Sequence, residues 1–313
     1  MDRVALIYNP ASGQYSARRK AAIDAVLGEL RGAGVDAEAF VSETVGSAEE
    51  YAKQAVREGR DAILACGGDG TVHAVLQSVV GTETALGVIP LGTANALASN
   101  LGLIGSPAKA ARKLIDAVPT RIPVGRIHFE NGAGPESRYF LVAAGVGADA
   151  LLMSRMEPGL KRKLGYALYM IEAFRIWATH SFPLFEAAFA SNGHGPDSVA
   201  QVSQLLAVRV RSFGGVLNQF APGATLHSDA LHLIAFATRS RLDYFNFLMA
   251  ALAGRHRFAK KIELVETATV DCRAINGDNL FVEADGEVLG HLPARMETVP
   301  DAVTLLVPRG AEP

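Results

Sequence analysis

Residues 62–71 read Ala62-Ile63-Leu64-Ala65-Cys66-Gly67-Gly68-Asp69-Gly70-Thr71. Five apolar or small residues stop at a glycine pair, and Thr71 to Val80 carries a helical pattern. A short unbroken apolar run that ends in glycine marks a strand buried on both faces of a parallel sheet. Glycine adopts positive φ at little cost and lets a backbone approach another group closely. The amides that open the following helix, with the positive end of its dipole, suit an anion such as a phosphate. Asp69 is placed to hold a magnesium ion against ATP phosphates, directly or through water. The string is neither a Walker P-loop nor a G-x-G-x-x-G fingerprint, and an ordinary strand-to-helix turn would also fit it.

Working outward, the same alternation recurs. Val4–Tyr8 is a compact apolar run that stops at Asn9-Pro10. Ile23, Val26, Leu27 and Leu30 then fall on one face of a helix over Ser16–Gly32. Val35–Val41 reads as a second strand. Ser47, with Glu50 three residues on, predicts a capping box for the next helix. Ala85–Ile89 is a fourth strand, followed by helical patterns over Ala94–Leu101 and Pro107–Ala117. Strand–helix alternation implies a parallel sheet covered on both faces.

Near Thr120 the pattern changes. Short β-like runs, at Val124–Phe129, Arg138–Ala144, Leu205–Val210, Leu231–Ala237, Ile262–Val270, Leu280–Ala284 and Val303–Val307, alternate with turn clusters and predict an antiparallel sandwich. Helical segments at Leu160–Thr179 and Leu242–Ala253 interrupt them. The boundary falls near residue 122, giving units 1–122 and 123–313.

The chain has 313 residues, 49% of them hydrophobic and 20% charged, which is the composition of a globular protein long enough to bury a core without staples. A formal net charge of −2 argues against wholesale electrostatic binding of nucleic acid. Two cysteines, Cys66 and Cys272, argue against a disulfide framework and cannot build a Cys-based zinc site. The opening segment has no basic region leading into a long apolar stretch, so no signal peptide is expected. The uncharged stretch Thr84–Ala108 is broken by Gly87, Pro90, Gly92, Asn95, Ser99 and Asn100, which is a poor membrane span.

Two further loops repeat the logic of the first. Asn9-Pro10-Ala11-Ser12-Gly13 ends the first strand, and Pro90-Leu91-Gly92-Thr93-Ala94-Asn95 ends the fourth. Open parallel sheets bind ligands at this edge. Farther on, Gly145-Val146-Gly147-Ala148-Asp149 is another glycine-rich turn, and Val282 to Val288 reads as a hairpin closed by Asp285-Gly286.

With NPASG, GGDGT, PLGTANALA, GVGADA, the stretch from Phe213 to Ala224 and Asp285-Gly286-Glu287 in that order, the chain resembles the diacylglycerol/sphingosine/ceramide lipid kinases, most of all their bacterial soluble branch. The resemblance implies an α/β N-terminal domain with a parallel sheet (NAD kinase/diacylglycerol kinase-like) and a C-terminal antiparallel β-sandwich. It implies ATP in the cleft and magnesium-dependent transfer of the γ-phosphoryl group to a lipid hydroxyl. Asn9, Thr44, Gly67, Gly68, Asp69, Gly70, Thr71, Gly92, Thr93 and Asn95 fall at nucleotide-contacting positions. Glu287 falls at the proton acceptor, with Asp285 and Asp69 in the catalytic set. Asp229, with the backbone of Leu226 and Leu231, falls at a magnesium-associated position. His73 and Ala74 stand where the family often has Asn and Glu, Ala96 follows Asn95 where diacylglycerol kinases commonly carry Asp, and Ala230 follows Asp229 in place of Gly.

A carboxylate such as Glu287 can take the proton of an attacking alcohol. The acceptor stays open among diacylglycerol, a sphingoid base, ceramide and another lipid alcohol. A soluble kinase of the NAD kinase type and a catalytically weak nucleotide- or lipid-binding regulator are the competing readings. Lys161-Arg162-Lys163 precedes a helical face of Tyr166, Tyr169, Met170, Ala173 and Trp177, and Arg255-His256-Arg257 with Lys260-Lys261 follows Phe245–Ala253. Basic residues beside apolar stripes suit a membrane surface, although such a stripe also suits a protein core. The expectation is a cytoplasmic protein, peripheral on the inner face of the membrane, with oligomeric state left open.

Overall fold

A computed structural model of the chain describes residues 1–10, 16–156, 166–189, 198–213, 221, 223–252, 261–275 and 277–311. Its elements, in chain order, begin with β1 (Arg3–Tyr8), α1 (Ser16–Gly32), β2 (Asp36–Val41), α2 (Val45–Arg57), β3 (Ala62–Gly67), α3 (Asp69–Val79), β4 (Ala85–Pro90), α4 (Ala96–Asn100) and α5 (Pro107–Ile115). There follow β5 (Val118–Glu130), β6 (Pro135–Phe140), β7 (Ala143–Val146), α6 (Ala148–Arg155), α7 (Tyr166–Thr179), β8 (Phe185–Phe189), β9 (Ser198–Val202), β10 (Gln204–Val208) and β11 (Leu231–Phe236). The last are α8 (Arg241–Leu252), β12 (Ile262–Thr267), β13 (Thr269–Ala274), β14 (Phe281–Ala284) and β15 (Glu287–Val307). The contacts divide the chain into two compact units, Met1–Pro123 with Pro300–Pro313, and Val124–Val299.

In the first unit the strand order is β2-β1-β3-β4, completed by the end of β15, and every pairing is parallel. This is a doubly wound arrangement, in which strand order reverses between β1 and β3 and ligands bind at the carboxyl ends of the strands. α1 packs with α5 and α2 with α3, so each face of the sheet carries a helical layer. Ile23, Val26 and Leu30 are buried, as the helical spacing predicts. The cap of α2 differs from the prediction. Thr44, not Ser47, is the N-cap, and Ser47 is the reciprocal partner one turn in.

The second unit is an antiparallel sandwich. One sheet runs β12-β11-β10-β7-β14 to the start of β15, and β13, β8 and β9 continue from β15 on the other side. Phe140, Phe185, Phe189, Leu205, Val282 and Met296 lie in the core between them. Two predicted strands are each broken in two. Arg138–Ala144 divides into β6 and β7, because the Asp285 carboxylate takes the amides between them. Ile262–Val270 divides at Ala268, where the chain leaves β11 for β8 and β15. The sequence reading passed over β8, β9 and α6.

The chain first crosses between the units after Pro123, and the second unit does not keep the chain's end. Pro300–Pro313 belongs to the first unit. Val303, Leu305 and Leu306 are buried there, and Leu305 pairs with Leu86 of β4. Truncating a fully buried leucine costs about 2–5 kcal/mol. Leu305→Ala is therefore expected to lower the unfolding free energy measured in urea by that amount, with a lower midpoint, and an unchanged midpoint would contradict the parallel fifth strand.

Candidate active site

The site residues named from the sequence fall into two sets, one in each unit. In the first unit they gather at the carboxyl edge of the parallel sheet. Gly67 ends β3 and Gly68 caps α3 without any side-chain hydrogen bond. The first turn of α3 therefore has no capping side chain, and the Thr71 N–H turns back to Gly68 O at 3.0 Å. A Cβ on Gly67 would collide with the Thr71 side chain, which folds back over it. A Cβ on Gly92 would collide with the backbone of Gly68. The loops that follow β3 and β4 thus touch backbone to backbone, and Leu91 N–H donates to Gly67 O at 2.9 Å.

Side chains fix this pair of loops. Asp69 Oδ1 accepts from the Ala96 amide at 2.8 Å, so the GGDGT loop caps α4. Asn95 stands in the left-handed region at φ 48°. Its amide clamps Gly92 from both ends, accepting from N–H at 2.8 Å and donating to the carbonyl at 2.9 Å. Arg19 is buried and donates to Asn9 O at 3.0 Å and to Leu91 O at 3.4 Å, which ties the end of β1 to the end of β4. Burial lowers its pKa. The sequence reading missed Arg19, although it stands on the same helical face as Ile23, Val26 and Leu30. Thr44 lies after β2 with its hydroxyl in the α2 cap, and Thr93 is exposed. His73 is buried on α3 beside Ala74. Ala11, Ser12 and Gly13 lie outside the described residues.

In the second unit, Asp285 sits at φ 49° in the turn between β14 and β15. Its carboxylate accepts from Leu141 at 3.0 Å, Val142 at 2.8 Å and Ala143 at 3.1 Å, and its own amide donates to Ala143 O. This side chain builds the hairpin that carries Glu287. Glu287 opens β15, half-buried, and among the described residues no hydrogen bond reaches its carboxylate.

Close by lies a pair of acids that the sequence reading did not bring together. Asp149, in the first turn of α6, folds over Gly145, where a Cβ would collide with its carboxylate. Neither Asp149 oxygen makes a hydrogen bond among the described residues, although the amides of Asp149 and Ala150 lie near enough to favour its charge. Glu283 is buried on β14 and accepts from Gly286 N–H at 2.8 Å. Burial pushes Asp149 up to about 7 and, with the Asp149 charge, lifts Glu283 well above the carboxylate range.

The positions that the resemblance gives to a second-unit magnesium are Asp229, Leu226 and Leu231. Here the Leu226 carbonyl accepts from Arg209 Nη2 at 3.1 Å, Asp229 is exposed, and Leu231 is buried in β11. A divalent ion at that carbonyl would sit against a fixed positive charge, so these residues do not fit a resident metal. Among the described residues, no cluster of three or more His, Cys, Asp or Glu side chains is arranged to hold one.

Residues 3–127 match the diacylglycerol kinase catalytic domain, and residues 141–307 match the YegS C-terminal NAD kinase beta sandwich-like domain. The chain belongs to the diacylglycerol kinase family. A diacylglycerol kinase of Mycobacterium tuberculosis is 31% identical over 98% of this chain and 96% of its own length. One from Bacillus subtilis is 26% identical over 99% of this chain and 97% of its own. The crystal structure of a diacylglycerol kinase from Bacillus anthracis shares the fold, with a TM-score of 0.69 at 19% identity over 99% of this chain and 98% of that one. Membership makes the chain a kinase with a nucleotide substrate.

The buried acids set a pH dependence. Both are protonated in the folded chain over a range in which they ionise when unfolded. The Asp149 contribution is complete below about pH 4 and is lost as pH rises through about 7, and the raised Glu283 acts in the same direction. Urea midpoints measured between pH 4 and pH 8 are expected to fall across that window. In Asp149→Asn the fall should be shallower, and an identical slope would exclude Asp149 as its source.

Proposed function

We propose that this chain is an ATP-dependent lipid kinase that transfers the γ-phosphoryl group to a lipid hydroxyl, with diacylglycerol the favoured acceptor. The observation that carries the reading is the uncapped first turn of α3 at the carboxyl edge of a parallel sheet, in a chain of this family. Amides of that turn, with Gly67, Gly68 and Gly92 keeping side chains out of the way, offer donors to the nucleotide phosphates. Asn95, Asp69 and Arg19 hold the loops in place. Asn9, Thr44, Gly70, Thr71 and Thr93 supply further polar groups of the strand-end loops.

Magnesium carried with ATP supplies neutralisation of the charge on the phosphoryl oxygens, and Asp69 is the carboxylate of the loop set that would face it. Glu287 accepts the proton of the lipid hydroxyl. Its carboxylate is unbonded among the described residues, whereas its neighbour Asp285 is fixed by three amides, so one acid holds the turn and the other is available for chemistry.

A lipid kinase must also reach its acceptor, and the second unit carries a surface for that. Trp177 of α7 packs on Phe245 of α8, with ring centroids 6.3 Å apart, and donates to Arg241 O at 2.9 Å. On the two helices Ile171, Phe174, Leu242, Phe245, Leu248 and Met249 are exposed, Phe174 to 67%. Arg175 and Arg241 stand among them, also exposed. Apolar side chains flanked by cations suit an anionic membrane surface. This face differs from the stripe predicted from the sequence, since Ala173 and Trp177 are half-buried and the side chains of Tyr166, Tyr169 and Met170 lie outside the described residues. The clusters at 161–163 and 255–260 also lie outside them. Among the described residues, no helix is long and apolar enough to cross a membrane.

Transfer of label from γ-labelled ATP, with magnesium, to diacylglycerol, monoacylglycerol, sphingosine and ceramide in mixed micelles tests the chemistry. The expected result is a labelled product in the organic phase. Glu287→Gln should lower its rate by about 10²–10⁴-fold with ATP binding retained. Label on a sphingoid base alone would move the acceptor, label only in the aqueous phase would remove the lipid kinase reading, and full activity in Glu287→Gln would remove the base. For the surface, wild-type protein is expected to sediment with phosphatidylglycerol vesicles, and Phe174→Ser/Phe245→Ser to sediment far less. Equal sedimentation would exclude this face.

A further inference from the structure

Arg209 directly follows β10 and is 0% exposed. A buried guanidinium is costly unless its surroundings supply charge and acceptors. At Nη2 the surroundings do both. Nη2 donates to Leu226 O at 3.1 Å and to Ser228 O at 3.3 Å. Burial brings the Arg209 pKa down to about 10, so the group stays charged at neutral pH, and the negative charges of Asp229 and Asp285 both favour that state. After burial, the same positive charge helps to keep the nearby His232 imidazole below its ordinary pKa, against Glu266.

The oxygens gathered here are those a hard cation would take. Two backbone carbonyls turn toward one point, with carboxylates of the loop and the hairpin acting on it. Calcium and magnesium bind such sets of carbonyl and carboxylate oxygens. A guanidinium meets the same oxygens with a planar fork of N–H donors, carries its charge permanently and is more weakly hydrated than an ammonium group. The backbone joins this point to the catalytic hairpin. Arg209 N–H donates to Val142 O at 2.9 Å, and Val142 N–H donates to Asp285 Oδ1 at 2.8 Å.

We propose that the Arg209 side chain does in this chain the structural work of a divalent cation, so that the Asp229 loop of the second unit is built without a bound metal. Arg209 is a positioning residue. It anchors residues 226–229, and through Val142 it steadies the turn that presents Glu287. The proposal rests on the family's implied metal position and the geometry of the second unit, not on phosphoryl transfer, so the two readings fail separately.

The test is metal content and melting temperature in the absence of nucleotide. Purified wild-type protein is expected to hold substoichiometric divalent metal by elemental analysis and to melt at the same temperature in EDTA and in millimolar magnesium. Arg209→Asn is expected to melt about 5 °C lower or more, and magnesium should restore part of the loss. The restoration should vanish in Arg209→Asn/Asp229→Asn. One divalent ion per wild-type chain, with a melting temperature that falls in EDTA, would overturn the proposal even if no variant folds. So would a folded Arg209→Asn whose melting temperature ignores magnesium.

Discussion

One carboxylate organises the second unit. Asp285 gathers the amides of Leu141, Val142 and Ala143, three consecutive donors that a continuous strand would have used in its ladder. Buried backbone donors must find acceptors, so a strand can break here only because an acceptor is supplied from the side. The break separates β6 from β7 and lets β7 enter the sheet between β10 and β14. The turn that carries Glu287 is fixed by the same bonds. Removing this acid would therefore leave three buried donors unmet beside the hairpin.

The first unit solves a different problem by exclusion. The loops that follow β3 and β4 lie backbone to backbone. Gly92 allows a backbone contact with Gly68 that a Cβ on Gly92 would prevent, and the polar side chains then serve as braces. Asp69 caps α4, Asn95 closes its own loop, and Arg19 bridges two strand ends. Asp69 and Asn95, which look like ligand contacts in the sequence, serve here with Arg19 as scaffold that holds the loops in shape.

Much of this was legible in the sequence. The parallel half follows from buried-type runs alternating with helical spacing, and the close approach of the β3 and β4 loops from glycine at those two strand ends. What escaped has a common cause in long-range partners. Nothing near Arg138–Ala144 announces a carboxylate more than 140 residues away. Val303–Val307 says buried strand, but not in which sheet. Ser47 and Thr44 are both competent caps, and the difference of one turn is settled by where the chain leaves β2. Arg19 and Arg209, both buried, did leave a trace, because Arg19 interrupts an apolar helical face and Arg209 interrupts the run Leu205–Val210. A cation inside an apolar pattern is the sign of an internal anchor.

The single strand β15 also constrains the order of assembly during synthesis. The first unit is begun by the earliest residues, yet its fifth strand comes from residues 300–307, made only after Val124–Val299. At about 5–20 residues per second, the ribosome needs on the order of ten seconds or more to translate the second unit. During that interval β4 is an unpaired sheet edge of small and branched apolar residues, the kind of surface to which chaperones and other nascent chains are drawn.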